Sequence, residues 1–192
     1  NSYTQDAVIG FESLVGDVSL SDATIDVKDG QTEVSGDYGN LIADKDTTSI
    51  KIQDATLKGT GSEATKGNYI SAVDSTDENK VVVAGAQLGE SSSLTLAGKG
   101  NIGSITADGD GKGTLAVTGD ANVVATDGAA ADIGTAEANI AQVKVTGSLN
   151  AKDIFTKALE TSGEVNAKEI FTEALKTSGD VIADKIETAK AE

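Results

Sequence analysis

The residues best suited to chemistry in this chain are three aspartates near its middle. Asp108 and Asp110 alternate with glycine in the run DGDGKG (108–113), and Asp120 follows shortly after. Carboxylates at alternate positions, on a backbone that glycine allows to turn tightly, are ligands that Ca²⁺ prefers. The EF-hand pattern also needs a glutamate at its twelfth position, which here is Gly119. We therefore propose Asp108, Asp110 and Asp120 as candidate ligands of a calcium ion. The alternative is that this segment is an ordinary turn that connects two strands.

The composition excludes several kinds of catalytic site. The chain of 192 residues contains neither cysteine nor histidine. Thiol nucleophiles, thiolate metal sites and Ser-His-Asp catalysis are therefore excluded. Paired carboxylates stay open as a route to glycan cleavage, but no constellation in the sequence is specific enough to indicate one. We therefore expect that the chain is not an enzyme and that it needs no cofactor.

The charge of the chain bears on its partners and its location. A formal net charge of −16 disfavours nucleic acid, which is bound through basic surfaces. No run of about 18 apolar residues occurs, so we expect no membrane insertion. Abundant Gly, Ala, Thr, Ser and Asp is typical of secreted bacterial surface proteins and predicts an extracellular or cell-surface location. Since the first residue is Asn1 rather than Met, we expect a removed leader or an excised segment.

The most regular feature of the sequence is a 16-residue tandem repeat. Residues 147–162 (GSLNAKDIFTKALETS) and 163–178 (GEVNAKEIFTEALKTS) are identical at 11 of 16 positions. Residues 179–192 form a third, decayed copy. A short tandem period indicates units that stack on one another, which favours a building element over a catalyst.

Two structures are compatible with this repeat. In the first, each copy is a short helix, with Asn150 as the N-cap and Gly163 ending it. In the second, each copy is one rung of a parallel β-solenoid with Gly147 at a corner. The inward residues of the rung would then be Leu149, Ala151, Ile154 and Leu159, repeated at Val165, Ala167, Ile170 and Leu175, and again at Val181, Ala183 and Ile186.

The charges of successive copies favour the rung. Lys157 is replaced by Glu173 one copy later, and Glu160 is replaced by Lys176. Stacked rungs would place these opposite charges side by side, and would align Thr156, Thr172 and Thr188 in a ladder. A helix of about ten residues is marginal by itself. We therefore predict the solenoid and keep short helices as the alternative.

The rest of the sequence also predicts β-strands. A pattern of two Leu or Val residues separated by one residue, followed two residues later by glycine, occurs at 94–98, 115–119 and 143–147, and it places two apolar side chains on one face. Residues 126–139 are rich in Ala and Gly and are expected to form a crossing loop. We predict an all-β chain with a β-rich N-terminal region (1–90), either solenoid or sandwich, and a β-solenoid repeat region (91–192).

Several of these segments resemble the passenger regions of autotransporter surface proteins, especially the rickettsial outer-membrane-protein-B type. The segments are LTLAG (94–98), NIGSI (101–105), GTLAVTG (113–119), DIGTA (132–136), IAQVKVTG (140–147) and GEVNA (163–167). The resemblance implies a right-handed parallel β-helix exposed on the cell surface, which acts as a coat or an adhesin. The last 46 residues also resemble bactofilins, whose short β-helical rungs polymerise end to end.

These observations predict a structural subunit of an extracellular surface layer, sheath or filament. We expect it to act by self-assembly into homo-oligomers or polymers, through end-to-end contacts or strand donation by residues 2–18. The alternative is an adhesin-type binding module that recognises a host protein or glycan through loops near residues 66–80. Phe155 and Phe171 occupy the same repeat position and are expected to cover an apolar face or to form an assembly patch.

Overall fold

The computed structural model describes residues 2–3, 19–27, 33–60, 67–74 and 77–192. All regular structure in these residues is β-strand, and no helix occurs among them. The all-β prediction is therefore confirmed. The alternative that the 16-residue repeats are short helices is wrong, because the described repeats form strands instead.

The strands are numbered in chain order. The first seven are β1 (Ser2–Tyr3), β2 (Ser19–Val27), β3 (Val34–Asp44), β4 (Ser49–Thr60), β5 (Ile70–Asp74), β6 (Asp77–Val83) and β7 (Gly85–Ile102). The next four are β8 (Ile105–Ala107), β9 (Lys112–Val117), β10 (Asp120–Val123) and β11 (Ile140–Val145). The last four are β12 (Ser148–Asn150), β13 (Asp153–Thr161), β14 (Glu164–Thr177) and β15 (Asp180–Ala191).

These strands belong to one sheet whose pairings are parallel, apart from the antiparallel β5–β6 pair. Seven strands close into a hydrogen-bonded ring, in the order β7, β10, β12, β14, β13, β11 and β9. The ring closes because β7 and β14 are long enough to bend, so that one part of each strand pairs with one neighbour and another part pairs with a second neighbour. Residues 93–96 of β7 pair with β9, whereas residues 99–102 pair with β10. In the same way, β14 pairs with β12 through its first residues and with β13 through its later ones.

The 16-residue copies lie directly on one another. Ile154 pairs with Ile170, and Ile170 pairs with Ile186, so that equivalent residues of the three copies are neighbours. Ala, Leu, Lys and Glu in these copies are good helix formers, but a helix of this length is marginal by itself. As strands, the same residues gain hydrogen bonds and side-chain contacts on both sides, about 4.8 Å away. Stacking therefore overrides local propensity.

The core consists of columns of apolar side chains that run through successive layers. One column is formed by Ile50, Ala86, Ile105, Ile133, Ile154 and Ile170, each of which pairs with the next. All six are almost completely buried. Burial of one such isoleucine contributes about 1.5–3 kcal/mol. A continuous column therefore holds every layer to its neighbours.

The segment at 126–139 is more than the crossing loop that we predicted. It contains no named strand, but Ile133 forms parallel bridges to both Ile105 and Ile154 and is fully buried. A single bridging residue in an irregular segment produces no alternation in the sequence. For this reason the pattern of apolar residues in the sequence did not predict that Ile133 belongs to the core.

The inward positions predicted for the repeats are confirmed for the first two copies. Leu149, Ala151, Ile154 and Leu159 are buried, as are Val165, Ile170 and Leu175, and Ala167 packs against the core. In the third copy Val181 and Ala183 are partly buried against the core, whereas Ile186 is 40% exposed. This difference follows from the pairing, since β15 pairs with β14 and with no other described strand.

A column of glycines marks one corner of the stack. It consists of Gly59, Gly98, Gly119, Gly147, Gly163 and Gly179. A Cβ atom added to any of the last five would lie closer than 3.0 Å to the carbonyl oxygen of the preceding glycine in the column. Real Cβ atoms do not approach a backbone oxygen so closely, so successive layers can meet at this corner only when the residue there is glycine.

The described N-terminal strands continue the same sheet. β2, β3, β4 and β7 pair successively in parallel, so no separate sandwich is present among the described residues. The boundary that we placed between residues 90 and 91 lies inside β7, and the division into two regions stays a prediction. Of the proposed donor segment 2–18, residues 4–18 lie outside the described residues.

Replacing a glycine of this column should destabilise the stack. In Gly163→Ala the new methyl group meets the backbone of Gly147, and we expect the free energy of unfolding to fall by about 1–3 kcal/mol. Gly109→Ala is the matched control, because its methyl group would meet only the flexible end of the Lys112 side chain. Thermal unfolding followed by circular dichroism measures both; equal melting temperatures for the two variants would contradict the proposed close contact.

Buried tyrosines should make the protein sensitive to alkali. Burial raises the pKa of Tyr38 to about 12, with a smaller contribution from Asp37, and burial raises the pKa of Tyr69 as well. An unfolded tyrosine ionises near 10.0, so the unfolded state loses protons first and stability should fall between about pH 10 and 12. Tyrosinate absorbance and circular dichroism should change together there, and Tyr38→Phe should reduce the effect. Ionisation of Tyr38 near pH 10 without unfolding would refute this.

Candidate functional site

The three calcium candidates lie in two different places. Asp108 and Asp110 belong to the turn between β8 and β9, whereas Asp120 is the first residue of β10 and pairs in register with Lys99. No group of three or more Asp, Glu, His or Cys residues that could hold a metal ion occurs in the described part of the chain. The structure therefore does not bring the three aspartates together.

Each of these aspartates instead faces a lysine. The carboxylate-to-ammonium distances are 3.4 Å for Asp108–Lys112, 2.8 Å for Asp110–Lys157 and 4.0 Å for Asp120–Lys99. These pairs are largely exposed to solvent, so each contributes little to the stability of the fold. A calcium ion at the turn would have to compete with Lys112 and Lys157 for the carboxylates.

Asp110 and Lys157 form the centre of a small network across layers. Asp110 accepts hydrogen bonds from Lys157 Nζ and, at 3.0 Å, from the backbone N–H of Asn139. The hydrogen bond from Lys157 is the main reason that the pKa of Asp110 is lowered, and bonds to Asp110 and Glu173 raise the pKa of Lys157. Lys157 Nζ also lies 2.9 Å from Glu173 Oε1. The turn, the irregular segment and two repeat copies are thus connected through one ammonium group.

The predicted stacking of charges and hydroxyls is confirmed. Lys157 contacts Glu173, and Glu160 pairs in register with Lys176. Thr156, Thr172 and Thr188 occupy one column, and each hydroxyl lies 2.8–3.0 Å from the carbonyl oxygen two residues further on. The hydroxyls of Thr172 and Thr188 are therefore satisfied within their own layers, whereas the Thr156 hydroxyl also lies 2.8 Å from the carbonyl oxygen of Ile140 on the neighbouring layer.

Phe155 and Phe171 also stack, as their shared repeat position predicts. Their ring centroids are 4.9 Å apart and their planes differ by 11°. Lys185 Nζ lies 5.4 Å from the centroid of Phe171, on the next layer. Both rings are half-buried, so they form a partly exposed aromatic stripe on the outside of the stack.

A column of asparagines is the main surface feature that sequence reasoning missed. Asn101, Asn122, Asn150 and Asn166 pair in register on four successive layers. Asn150 Nδ2 donates to Asn122 Oδ1 at 2.9 Å, and Asn122 Nδ2 lies 3.4 Å from Asn101 Oδ1. The signal was present in the sequence, because each of these asparagines stands three residues after a glycine of the glycine column.

The asparagine column lines an open groove of about 420 Å³. Val124, Gly128 and Ala130 form one wall, and Ile182, which is 61% exposed, lies at one end. The wall is a fixed turn, since Val124 and Ala130 form an antiparallel bridge and Ala125 N–H donates to Ala129 O at 2.7 Å. None of the eleven residues that line the groove is charged.

The loops proposed for adhesin-type recognition, near residues 66–80, are described only in part. Residues 70–74 and 77–80 belong to β5 and β6, which pair so that Ala72 opposes Val82, whereas Asn68 forms a parallel bridge with Asn101. Residues 66, 75 and 76 lie outside the described residues. Recognition through this region stays a prediction.

Calcium binding at the turn can be tested through its competitor. Lys157→Ala removes the ammonium group that Asp110 contacts at 2.8 Å, so we expect this variant to bind Ca²⁺ more tightly than the unchanged chain. Asp110→Asn should abolish the difference, and Lys144→Ala serves as a surface control. Isothermal titration of EDTA-treated protein measures the affinities. Equal calcium titrations for Lys157→Ala and the unchanged chain would reject the site.

Comparisons with known proteins find no relative. No protein-family model, no curated protein and no solved structure matches the chain. Among the described residues, none forms a helix long and apolar enough to cross a membrane.

Proposed function

We propose that this chain is a parallel β-solenoid that serves as a structural subunit of an extracellular surface layer, sheath or filament. The observation that carries the proposal is the in-register stacking of the 16-residue copies, in which Ile154, Ile170 and Ile186 follow one another. Each layer covers only its neighbours, as in repeat proteins built by stacking. Such a body is a rigid spacer whose length grows with the number of layers.

The distribution of charge supports this role. The sign of the charge alternates on successive layers along one column, which consists of Lys144, Glu160 and Lys176. Exposed pairs of this kind contribute roughly 0.2–1 kcal/mol each, and they favour one register over its slipped alternatives. The net charge of −16 keeps an exposed surface hydrated and repels non-specific contacts.

Self-assembly would extend the same stacking beyond one chain. The edge of β15 that faces away from β14 has no partner among the described strands. A further layer on this edge would bury Ile186, which is 40% exposed, together with Val181 and Ala183. Such a layer can come from another copy or from further residues of the same polypeptide, and strand addition supplies the backbone hydrogen bonds in both cases. The resemblance to autotransporter passengers agrees with a location at the cell surface.

If the chain assembles, its oligomeric size should increase with concentration, and this increase should depend on Ile186. We expect the purified chain to form filaments or sheets in electron micrographs, and larger species in sedimentation velocity as its concentration rises. Ile186→Asp places a charge in the column that a further layer would cover, so it should shift the protein towards monomers. Asp184→Ala, on the exposed part of the same strand, is the matched control. Persistent monomers of the unchanged chain at every concentration would argue against assembly.

A further inference from the structure

The asparagine column leaves hydrogen-bonding groups available along the groove. A primary amide has two N–H donors and an oxygen with two acceptor positions. In Asn122 the column uses one donor, towards Asn101, and one acceptor position, for Asn150. The amide of Asn122 therefore has a second N–H and a second acceptor position beyond these contacts. Because the asparagines are half-buried and line the groove, such groups recur on successive layers about 4.8 Å apart.

The rest of the groove is uncharged and mostly apolar. Charged residues make up 24% of the chain, yet none lines this groove. Val124, Ala130 and Ile182 instead contribute methyl groups to its lining. A few convergent polar groups among apolar walls are typical of a small-molecule or oligomer binding site. The chemistry fits an uncharged ligand with both polar and apolar faces.

We propose that this groove binds one strand of a neutral polysaccharide that runs across the layers. Sugar rings carry hydroxyl groups at their edges, which can exchange hydrogen bonds with the repeated amides. Their C–H faces can pack against Val124, Ala130 and Ile182. Acidic polysaccharides are disfavoured, because no cation lines the groove and the chain carries a net charge of −16.

An extended peptide fits the groove less well. Peptides that add to a sheet gain affinity from backbone hydrogen bonds with an unpaired strand edge. Here the floor is made of side chains from β7, β10, β12 and β14, whose backbone groups are already paired with one another. The groove therefore offers side-chain amides with a regular spacing, and these suit a ligand that repeats at a similar interval.

Titration with defined oligosaccharides tests the proposal. The probes are hexasaccharides of β-1,4-linked glucose and of β-1,4-linked N-acetylglucosamine, with hexagalacturonate as the acidic counterpart, followed by calorimetry and NMR. We expect a neutral hexasaccharide to bind, its monosaccharide to bind at least about tenfold more weakly because it reaches too few layers, and the acidic hexasaccharide not to bind. Loss of two amide contacts in Asn122→Ala/Asn150→Ala should weaken binding by roughly tenfold or more.

A second variant separates binding from folding. Ala130→Glu places a carboxylate in the exposed turn that forms the groove wall, without changing the asparagine column, and should also weaken binding by about tenfold. Lys144→Ala, outside the groove lining, should bind as the unchanged chain does. The proposal is overturned if no neutral hexasaccharide binds at millimolar concentration, or if Ala130→Glu leaves binding unchanged. Equal binding of hexagalacturonate, or preferred binding of an uncharged peptide, would overturn it too.

Discussion

The close approach of backbones at the glycine column is the constraint on which the rest of the structure depends. At Gly119, Gly147, Gly163 and Gly179 the preceding layer lies so near that a single methyl group would meet its carbonyl oxygen. Parallel strands can pair in several registers, and a shift by one residue would exchange the inner and outer faces. A corner that admits only glycine removes these alternatives, because a shifted register would place a larger residue there.

Once the register is fixed, each position in a layer belongs to one column, and each column has one chemical character. Inward columns are apolar and almost completely buried, as the isoleucine column shows. Outward columns are built from groups that satisfy one another, such as alternating Lys and Glu, stacked Phe155 and Phe171, and the hydrogen-bonded asparagines. The same stacking that stabilises the fold therefore also places similar or complementary side chains at regular intervals on its surface.

The sequence predicted the parts of the structure in which the period is constant. Over residues 147–178 the copies are nearly identical, and the exchange of Lys157 for Glu173 correctly predicts which residues are neighbours. Where the layers differ in length, the prediction was incomplete. Ile133 belongs to the core but stands in an irregular segment, and the asparagines at 101, 122 and 150 are separated by 21 and 28 residues. The prediction of a cation site at Asp108, Asp110 and Asp120 followed local spacing alone. In the structure Asp110 and Asp120 each face a lysine that is distant in sequence, and Asp108 faces Lys112, four residues further on.

The differences in layer length explain how a uniform stack acquires a local site. Between Gly98 and Gly119 the layer is five residues longer than the 16-residue unit, and between Gly119 and Gly147 it is twelve residues longer. The extra residues leave the columns intact and project from them as the turn at 108–111 and as part of the irregular segment at 126–139. The first insertion carries Asp110, which Lys157 holds, and the second follows Val124 and supplies Gly128 and Ala130 to the wall of the groove. Because the glycine column keeps the register on both sides of each insertion, the amides of Asn122 and Asn150 stay adjacent although 28 residues separate them. Insertions between fixed corners can therefore change the walls of the groove without disturbing its floor.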